Sequence, residues 1–212
     1  MSDSEIARAV GVIRAGGMVA FPTETYYGLA VDPFNREALS RLFAVKRRAP
    51  DKPILCLVHD RSQLSLLAQR VPEPYEQLIS TFWPGPLTLI FAAREEVPVV
   101  LTGYSGTVGV RISSHPLASR LAEAYGGPIS ATSANLSGLP AAASAAEVTT
   151  QLGPDVDLVL DGGPTPGGSG STIIGLAGDG PVLIRAGVIS RTEIMELIGR
   201  EIPVVNPQGG EK

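Results

Sequence analysis

Apolar side chains recur at Ile6, Ala9, Val10 and Ile13, the spacing of a helix with one buried face, and Ser4 stands where an N-cap belongs. A helix is therefore predicted over residues 4–15. Leu39, Leu42, Phe43 and Lys46 repeat the pattern over residues 35–46. Further helices are predicted at 61–69, 75–82, 116–125, 144–152 and 190–198. Pro116 suits a first helical turn, and Ser144 with Glu147 three residues later marks another N-terminus. Between these segments lie short apolar runs at 18–21, 54–58, 87–91, 108–112, 129–132, 158–160, 171–176 and 182–185, each the length of a buried strand. From Pro203 onward the tail reads as frayed. Strands and helices alternate, at times with two or three strands in succession, which implies an α/β domain with a twisted mixed sheet and flanking helices. No repeat and no shift in composition divides the chain, so a single domain is expected over 1–212, with its core at about 5–195.

Composition narrows the functional classes. A net charge of −4 disfavours a general nucleic-acid binder. The cations are uneven, however: Lys46, Arg47, Arg48 and Lys52 fall within seven residues. One cysteine, Cys56, excludes an internal disulfide and suits a reducing compartment. Its neighbours Ile54, Leu55, Leu57 and Val58 make it a small core residue rather than a nucleophile. The start, Met1-Ser2-Asp3-Ser4-Glu5, has no apolar h-region, and no stretch reaches the ~18 apolar residues of a membrane span. A cytoplasmic protein without membrane contact is the expectation.

Five segments could carry chemistry. Gly127-Pro128-Ile129 runs into Ser130-Ala131-Thr132-Ser133-Ala134-Asn135-Leu136-Ser137-Gly138, where small hydroxyls and an amide at a strand end could line a cleft or bond their own turn. Phe21-Pro22-Thr23-Glu24-Thr25-Tyr26-Tyr27-Gly28 leaves a buried strand. In open α/β sheets ligands bind outside such strand ends, although Thr23 could equally cap a helical turn whose tyrosines pack inward. Lys46 to Pro53 bunches four cations at a helix end; it is either a solvated loop or a polyphosphate cradle. Arg111 stands among apolar neighbours within a strand and needs an acidic partner, either a structural carboxylate or that of a ligand. His115, before Pro116, reads as structural. Asp161 to Thr172 is a glycine-rich stretch that could fold over a ligand or offer N–H groups to phosphate. It lacks the GK[ST] of a P-loop, and no GxGxxG, GxSxG, HExxH or CxxC pattern occurs. Arg185 adds a second arginine at a strand end.

Taken in order, these segments resemble the YrdC/Sua5 family, the L-threonylcarbamoyladenylate synthases that begin the t6A modification of tRNA. The resemblance rests on Pro22 to Leu29, on Lys46, Arg48, Lys52 and Pro53, and on Trp83-Pro84-Gly85-Pro86-Leu87-Thr88. It rests further on Val110-Arg111 with His115-Pro116, and on Ser133-Ala134-Asn135. It runs from about residue 5 to about 195 and implies a YrdC-like α/β fold with a basic concave cleft. The implied reaction joins L-threonine, bicarbonate and ATP into threonylcarbamoyl-AMP and pyrophosphate, with Mg2+ accompanying ATP and no metal ligand assigned to the protein.

The resemblance also implies roles. Lys46 and Arg48 would be catalytic, binding phosphates together with Lys52. Thr23, Arg111 and Ser171 would hold threonine, Arg111 by its carboxylate. Thr132, Ser133, Asn135, Ser144 and Arg185 would meet the nucleotide, and Ser171-Thr172 would close the site. Transient contact with tRNA or with the threonylcarbamoyl-transferase machinery follows from the product. A form without a C-terminal Sua5 domain is expected from the length. The competing readings are a carbamoyl-transfer role, since HypF contains a similar domain, an RNA-binding module, and a degenerate regulatory homologue.

Overall fold

The computed structural model describes residues 2–178 and 180–205. Its strands form two mixed sheets. The smaller holds β1 (Val19–Pro22), β2 (Tyr27–Ala30), β7 (Thr132–Ser133) and β8 (Leu158–Val159) in the order β7-β2-β1-β8. The larger holds β3 (Cys56–Leu57), β4 (Leu87–Ala92), β5 (Thr107–Arg111), β6 (Ile129–Ser130), β9 (Thr172–Ala177) and β10 (Gly180–Arg185), ordered β10-β9-β4-β5-β3-β6. Around them lie α1 (Asp3–Arg14), α2 (Arg36–Val45), α3 (Glu76–Phe82), α4 (Pro116–Tyr125), α5 (Ala145–Leu152) and α6 (Arg191–Ile198).

Strand β1 shows why two cores are needed. It is buried on both faces, so its alternating side chains serve different partners. Val19 and Phe21 join Ile6, Ala9, Val10 and Ile13 of α1 and Ala118, Leu121 and Ala122 of α4. Ala20, with Met18 just before the strand, points the other way. It enters the main core with Leu39, Leu42, Leu87, Leu89, Val108 and Val110. Burying such apolar area supplies the main favourable term for folding.

The helices keep their expected places, with adjusted ends. Pro116 opens α4, the Nδ1 of His115 accepts from Leu117 N–H at 3.2 Å, and Gly126 closes it at φ 81°. That cap requires a neutral imidazole. Burial pushes the His115 pKa down, against the opposing pull of Glu24. Helix α1 is capped by Ser2 instead of Ser4: Glu5 lies three residues beyond Ser2, and each side chain bonds the other's backbone N–H.

Four other expectations change. The predicted single sheet is two. Residues 61–69 form a 3-10 turn, Arg61–Leu66, where an α-helix was expected. The strand expected over 129–132 is two strands, β6 and β7, and the chain passes from the larger sheet to the smaller at Ala131. Strand β2, for which no element was expected, pairs antiparallel with β1. Of the expected frayed tail, residues 203–205 pair beside β10, with Leu183 N–H donating to Pro203 O at 2.8 Å and Val205 N–H to Leu183 O at 2.9 Å. Residues 206–212 lie outside the described part.

Candidate active site

Strand directions bring the chemistry to one rim. In the larger sheet β5 runs antiparallel to β4, and β4 lies parallel to β9 with Leu87 opposite Thr172. The end of β5 at Arg111 therefore lies on the same edge as the starts of β4 and β9. The end of β10, at Arg185, reaches that edge too, since Arg185 pairs with Ile173. In the smaller sheet, Ser133 of β7 sits opposite Gly28 at the start of β2, next to the turn that follows β1. Strand β8 runs parallel to β1 and delivers the glycine-rich stretch 161–171 to the same end.

At the centre is Arg111, 4% exposed. Its Nη1 lies 3.4 Å from Glu24 Oε1 and 3.5 Å from Thr25 Oγ1. The Ser113 hydroxyl donates to the other carboxylate oxygen, Oε2. Arg111 and Ser113 are two residues apart in extended chain, which places both side chains on one face. Three buried side-chain polar atoms among the described residues lack a hydrogen-bond partner, and two of them are Glu24 Oε1 and Arg111 Nε. A buried guanidinium with an idle donor is costly unless something completes it. Burial accordingly lowers the Arg111 pKa, against the support of Glu24.

Arg185, at the end of β10, donates to the Ser171 carbonyl at 2.8 Å and its hydroxyl at 3.2 Å, both contacts part-buried. Ser171 in turn shares a 2.8 Å hydroxyl contact with Thr88. Desolvation, and after it the charge of Arg111, lowers the Arg185 pKa. The charge of Arg111 thus reaches Arg185 and disfavours the charged form there, an arrangement an anion relieves.

A second cluster forms where α2 ends. Lys46 is 1% exposed, and its ammonium donates to the backbone carbonyls of Ser133 and, at 2.8 Å, Asn135. Burial, and after it the charge of Arg48, brings its pKa down to about 7. The Asn135 side chain accepts from Ser133 Oγ at 2.5 Å and donates to Leu136 O and Leu139 O, both at 2.8 Å. Arg48 folds the basic turn upon itself by donating to Lys52 O at 3.3 Å and Pro53 O at 2.9 Å. Lys52 itself is exposed, and Thr132 is buried in β7.

The glycine-rich stretch crosses the turn after β1. Gly167 N–H donates to Thr25 O and Thr165 N–H to Ala143 O, each at 2.8 Å. The Tyr27 hydroxyl donates to Gly163 O at 2.8 Å and accepts from Gly162 N–H at 3.3 Å. Gly187 packs beneath: a Cβ there would lie 2.4 Å from Gly170 O, Ser171 C and Thr172 N, so only glycine fits.

The fold therefore brings Thr23, Arg111, Ser171 and Arg185 together, and separately joins Lys46, Arg48, Ser133 and Asn135. Thr23 spends its hydroxyl on its own turn, bonding Tyr26 O at 2.7 Å and accepting from Thr25 and Tyr26 N–H. The turn leads into a strand, not a helix. Ser144 caps α5, its hydroxyl accepting from Glu147 N–H at 3.3 Å. Cys56 is a core residue whose thiol pKa is raised by burial. Glu24, Thr25, Ser113 and Thr88 are additions to the expected set. The signals for them in the sequence were the acid and second threonine of the segment 21–28, the need of Arg111 for an acidic partner and the two-residue spacing of Arg111 and Ser113, whereas Thr88 meets Ser171 only through sheet pairing.

A family model covering Sua5, YciO and YrdC, described as telomere recombination, matches residues 11–187. The chain belongs to the Sua5/YciO/YrdC family. Within that family, the threonylcarbamoyl-AMP synthase of Pyrococcus abyssi is 43% identical over 195 residues, covering 92% of this chain and 57% of the relative. That of Bacillus subtilis is 40% identical over 200 residues, covering 93% and 58%. A putative threonylcarbamoyl-AMP synthase of Mycobacterium tuberculosis is 37% identical over 194 residues, covering 92% and 89%. The chain thus spans 57–58% of the length of the first two relatives.

Among solved structures, P. abyssi Sua5 complexed with L-threonine matches with a TM-score of 0.93 at 41% identity, covering 97% of this chain and 60% of that one. Escherichia coli YciO matches at 0.79 and 30% identity, covering 88% and 91%. Full-length HypF, at 0.75 and 22% identity, covers 85% of this chain and 28% of that one and shares the fold alone.

Proposed function

We propose that this chain makes threonylcarbamoyl-AMP from L-threonine, bicarbonate and ATP, releasing pyrophosphate, and that the product feeds t6A modification of tRNA. The observation that carries this reading is the buried, under-partnered Arg111 on a rim shared with the Lys46–Asn135 cluster. One half of the rim suits the carboxylate of an amino acid, and the other suits phosphates. The P. abyssi relative that is complexed with L-threonine supports the same assignment.

In this reaction the threonine amine and bicarbonate form a carbamate with loss of water. A carbamate oxygen then attacks the α-phosphorus, and pyrophosphate leaves. Such chemistry depends on placing reactants and stabilising phosphate charge more than on a strong side-chain base. Arg111, Thr23 and Ser171 orient threonine; Lys46, Arg48 and Lys52 neutralise phosphates. Thr132, Ser133, Asn135, Ser144 and Arg185 meet the nucleotide, with Ser171-Thr172 closing the site. Ser133 keeps the oxygen lone pairs of its hydroxyl for this task, since its carbonyl faces Lys46 and its hydroxyl proton goes to Asn135 Oδ1. The phosphate-side donors are cations, a set that fits phosphate oxygens and not a resident metal ion, so Mg2+ enters held by ATP. Hand-over to tRNA or to the threonylcarbamoyl-transferase machinery belongs to the same proposal, as does a cytoplasmic setting. No described helix is long and apolar enough to cross a membrane.

The test is pyrophosphate release by the purified protein with threonine, bicarbonate or ATP omitted in turn. Release that requires all three is expected, together with its loss in Arg48→Ala. Threonine-independent release, or none, overturns the synthase and favours the carbamoyl-transfer or RNA-binding alternative. Steep salt dependence of RNA binding would mark the latter.

A further inference from the structure

Glu24 lies at the heart of the threonine side of the site, yet among the described residues only Ser113 hydrogen-bonds its side chain, and only through Oε2. Its Oε1 is buried without a hydrogen bond, 3.4 Å from Arg111 Nη1, and Arg111 Nε is buried without one as well. An idle acceptor on an anion and an idle donor on a cation thus belong to the same loose ion pair. A free α-amino acid carries an ammonium and a carboxylate on one carbon, the mirror of that pair.

We propose that Glu24 and Arg111 together form a zwitterion receptor, in which Glu24 Oε1 takes the ammonium of the amino-acid substrate and Arg111 takes its carboxylate. The assignment rests on the threonine-dependent function above and adds the residue that reads the amino group. Binding exchanges one loose internal contact for two charge-assisted ones and brings no net charge into the buried site. An acid without the ammonium fares differently. Its carboxylate would compete with Glu24 for Arg111 and leave the buried Glu24 facing a second anion, so the pair rejects it as well as accepting the zwitterion. Ser113 holds Oε2 and so aims Oε1 at the ligand. Glu24 is in this sense a selectivity residue.

The experiment is calorimetric titration of the full chain with L-threonine and with its α-hydroxy acid analogue, which differs only in the ammonium. The unmodified protein should prefer L-threonine by about tenfold or more, the scale of a lost charged hydrogen bond. In Glu24→Gln, which keeps the size and the Ser113 contact, L-threonine should weaken by a similar factor while the analogue is unchanged or tighter. Equal affinity of the unmodified protein for both compounds overturns the inference even if the variant fails to fold. An equal loss of both compounds in Glu24→Gln also overturns it, because Glu24 would then act only by steadying Arg111. If the unmodified protein binds neither compound and releases no pyrophosphate, the synthase reading falls first; threonine-dependent release without selectivity sinks the receptor alone.

Discussion

Lys46 and Asn135 are joined twice: the buried ammonium donates to the Asn135 backbone carbonyl at 2.8 Å and reaches its side-chain oxygen at 3.4 Å. The end of α2 and the loop after β7, 89 residues apart in sequence, are thereby one unit. A group expected to hold phosphate is, without ligand, the clasp of the loop that would meet the nucleotide.

This clasp makes the protein sensitive to pH in a defined direction. The Lys46 pKa falls from 10.5 to about 7. Between those values the unfolded chain binds more protons than the folded one, so stability rises with pH through that window. The slope due to this group approaches about 1.4 kcal/mol per pH unit. Urea denaturation at several pH values, compared with Lys46→Met, isolates it. Phosphate binding should move the opposite way, because it needs the charged amine. Affinity for ATP is expected to weaken, by up to about tenfold per unit, as pH rises above about 7. An affinity that stays flat across that range would remove Lys46 from the phosphate site.

Gly187→Ala tests the floor under Ser171. The new methyl would meet backbone, which cannot turn aside as a flexible side chain can. The strand start bearing Ser171 must shift, at a cost of about 1–3 kcal/mol. KM for threonine is expected to rise more than KM for ATP. Equal changes in both would mean that the shift spreads beyond the threonine side.

Helix positions were legible because their signals are local. Residues 116–125 were read correctly from a proline and an apolar stripe, and Ser144 stands at its expected cap. The first helix's cap was placed two residues late, at Ser4, although Ser2-Asp3-Ser4-Glu5 carries the capping-box spacing. Strand β2 escaped because its four residues include Gly28 and follow directly on a turn. The stretch 61–69 misled through Leu64 and Leu67, whose three-residue spacing fits a 3-10 turn as well as an α-helix. In the site, residue types were legible but their duties were not. Nothing near Lys46 in the chain indicates that Ser133 and Asn135 will face it, and Thr23 stood open between ligand contact and turn cap until the fold showed its hydroxyl in the turn.

Tyr27→Phe tests the glycine-rich stretch. The hydroxyl is buried and bonds both Gly162 and Gly163, so its removal leaves a backbone donor and acceptor without their partner. A loss of about 1–2 kcal/mol in stability is expected. Proteolytic cleavage within residues 161–171 should quicken well before global unfolding. Cleavage that keeps pace with global unfolding would show that the tyrosine contributes to the core without restraining the loop.

The passage of the chain through Ala131 has a mechanical consequence. Ser130 ends β6 of the larger sheet, yet its hydroxyl donates to Leu29 O at 3.0 Å and accepts from Val31 N–H at 2.9 Å beside β2 of the smaller one. The two sheets are therefore riveted by covalent chain and by hydrogen bonds at the same buried point. Halves joined in this way cannot part independently. Room for a larger ligand has to come from the flexing of residues 161–171, so changes in ligand size should be sought in that loop's length and sequence.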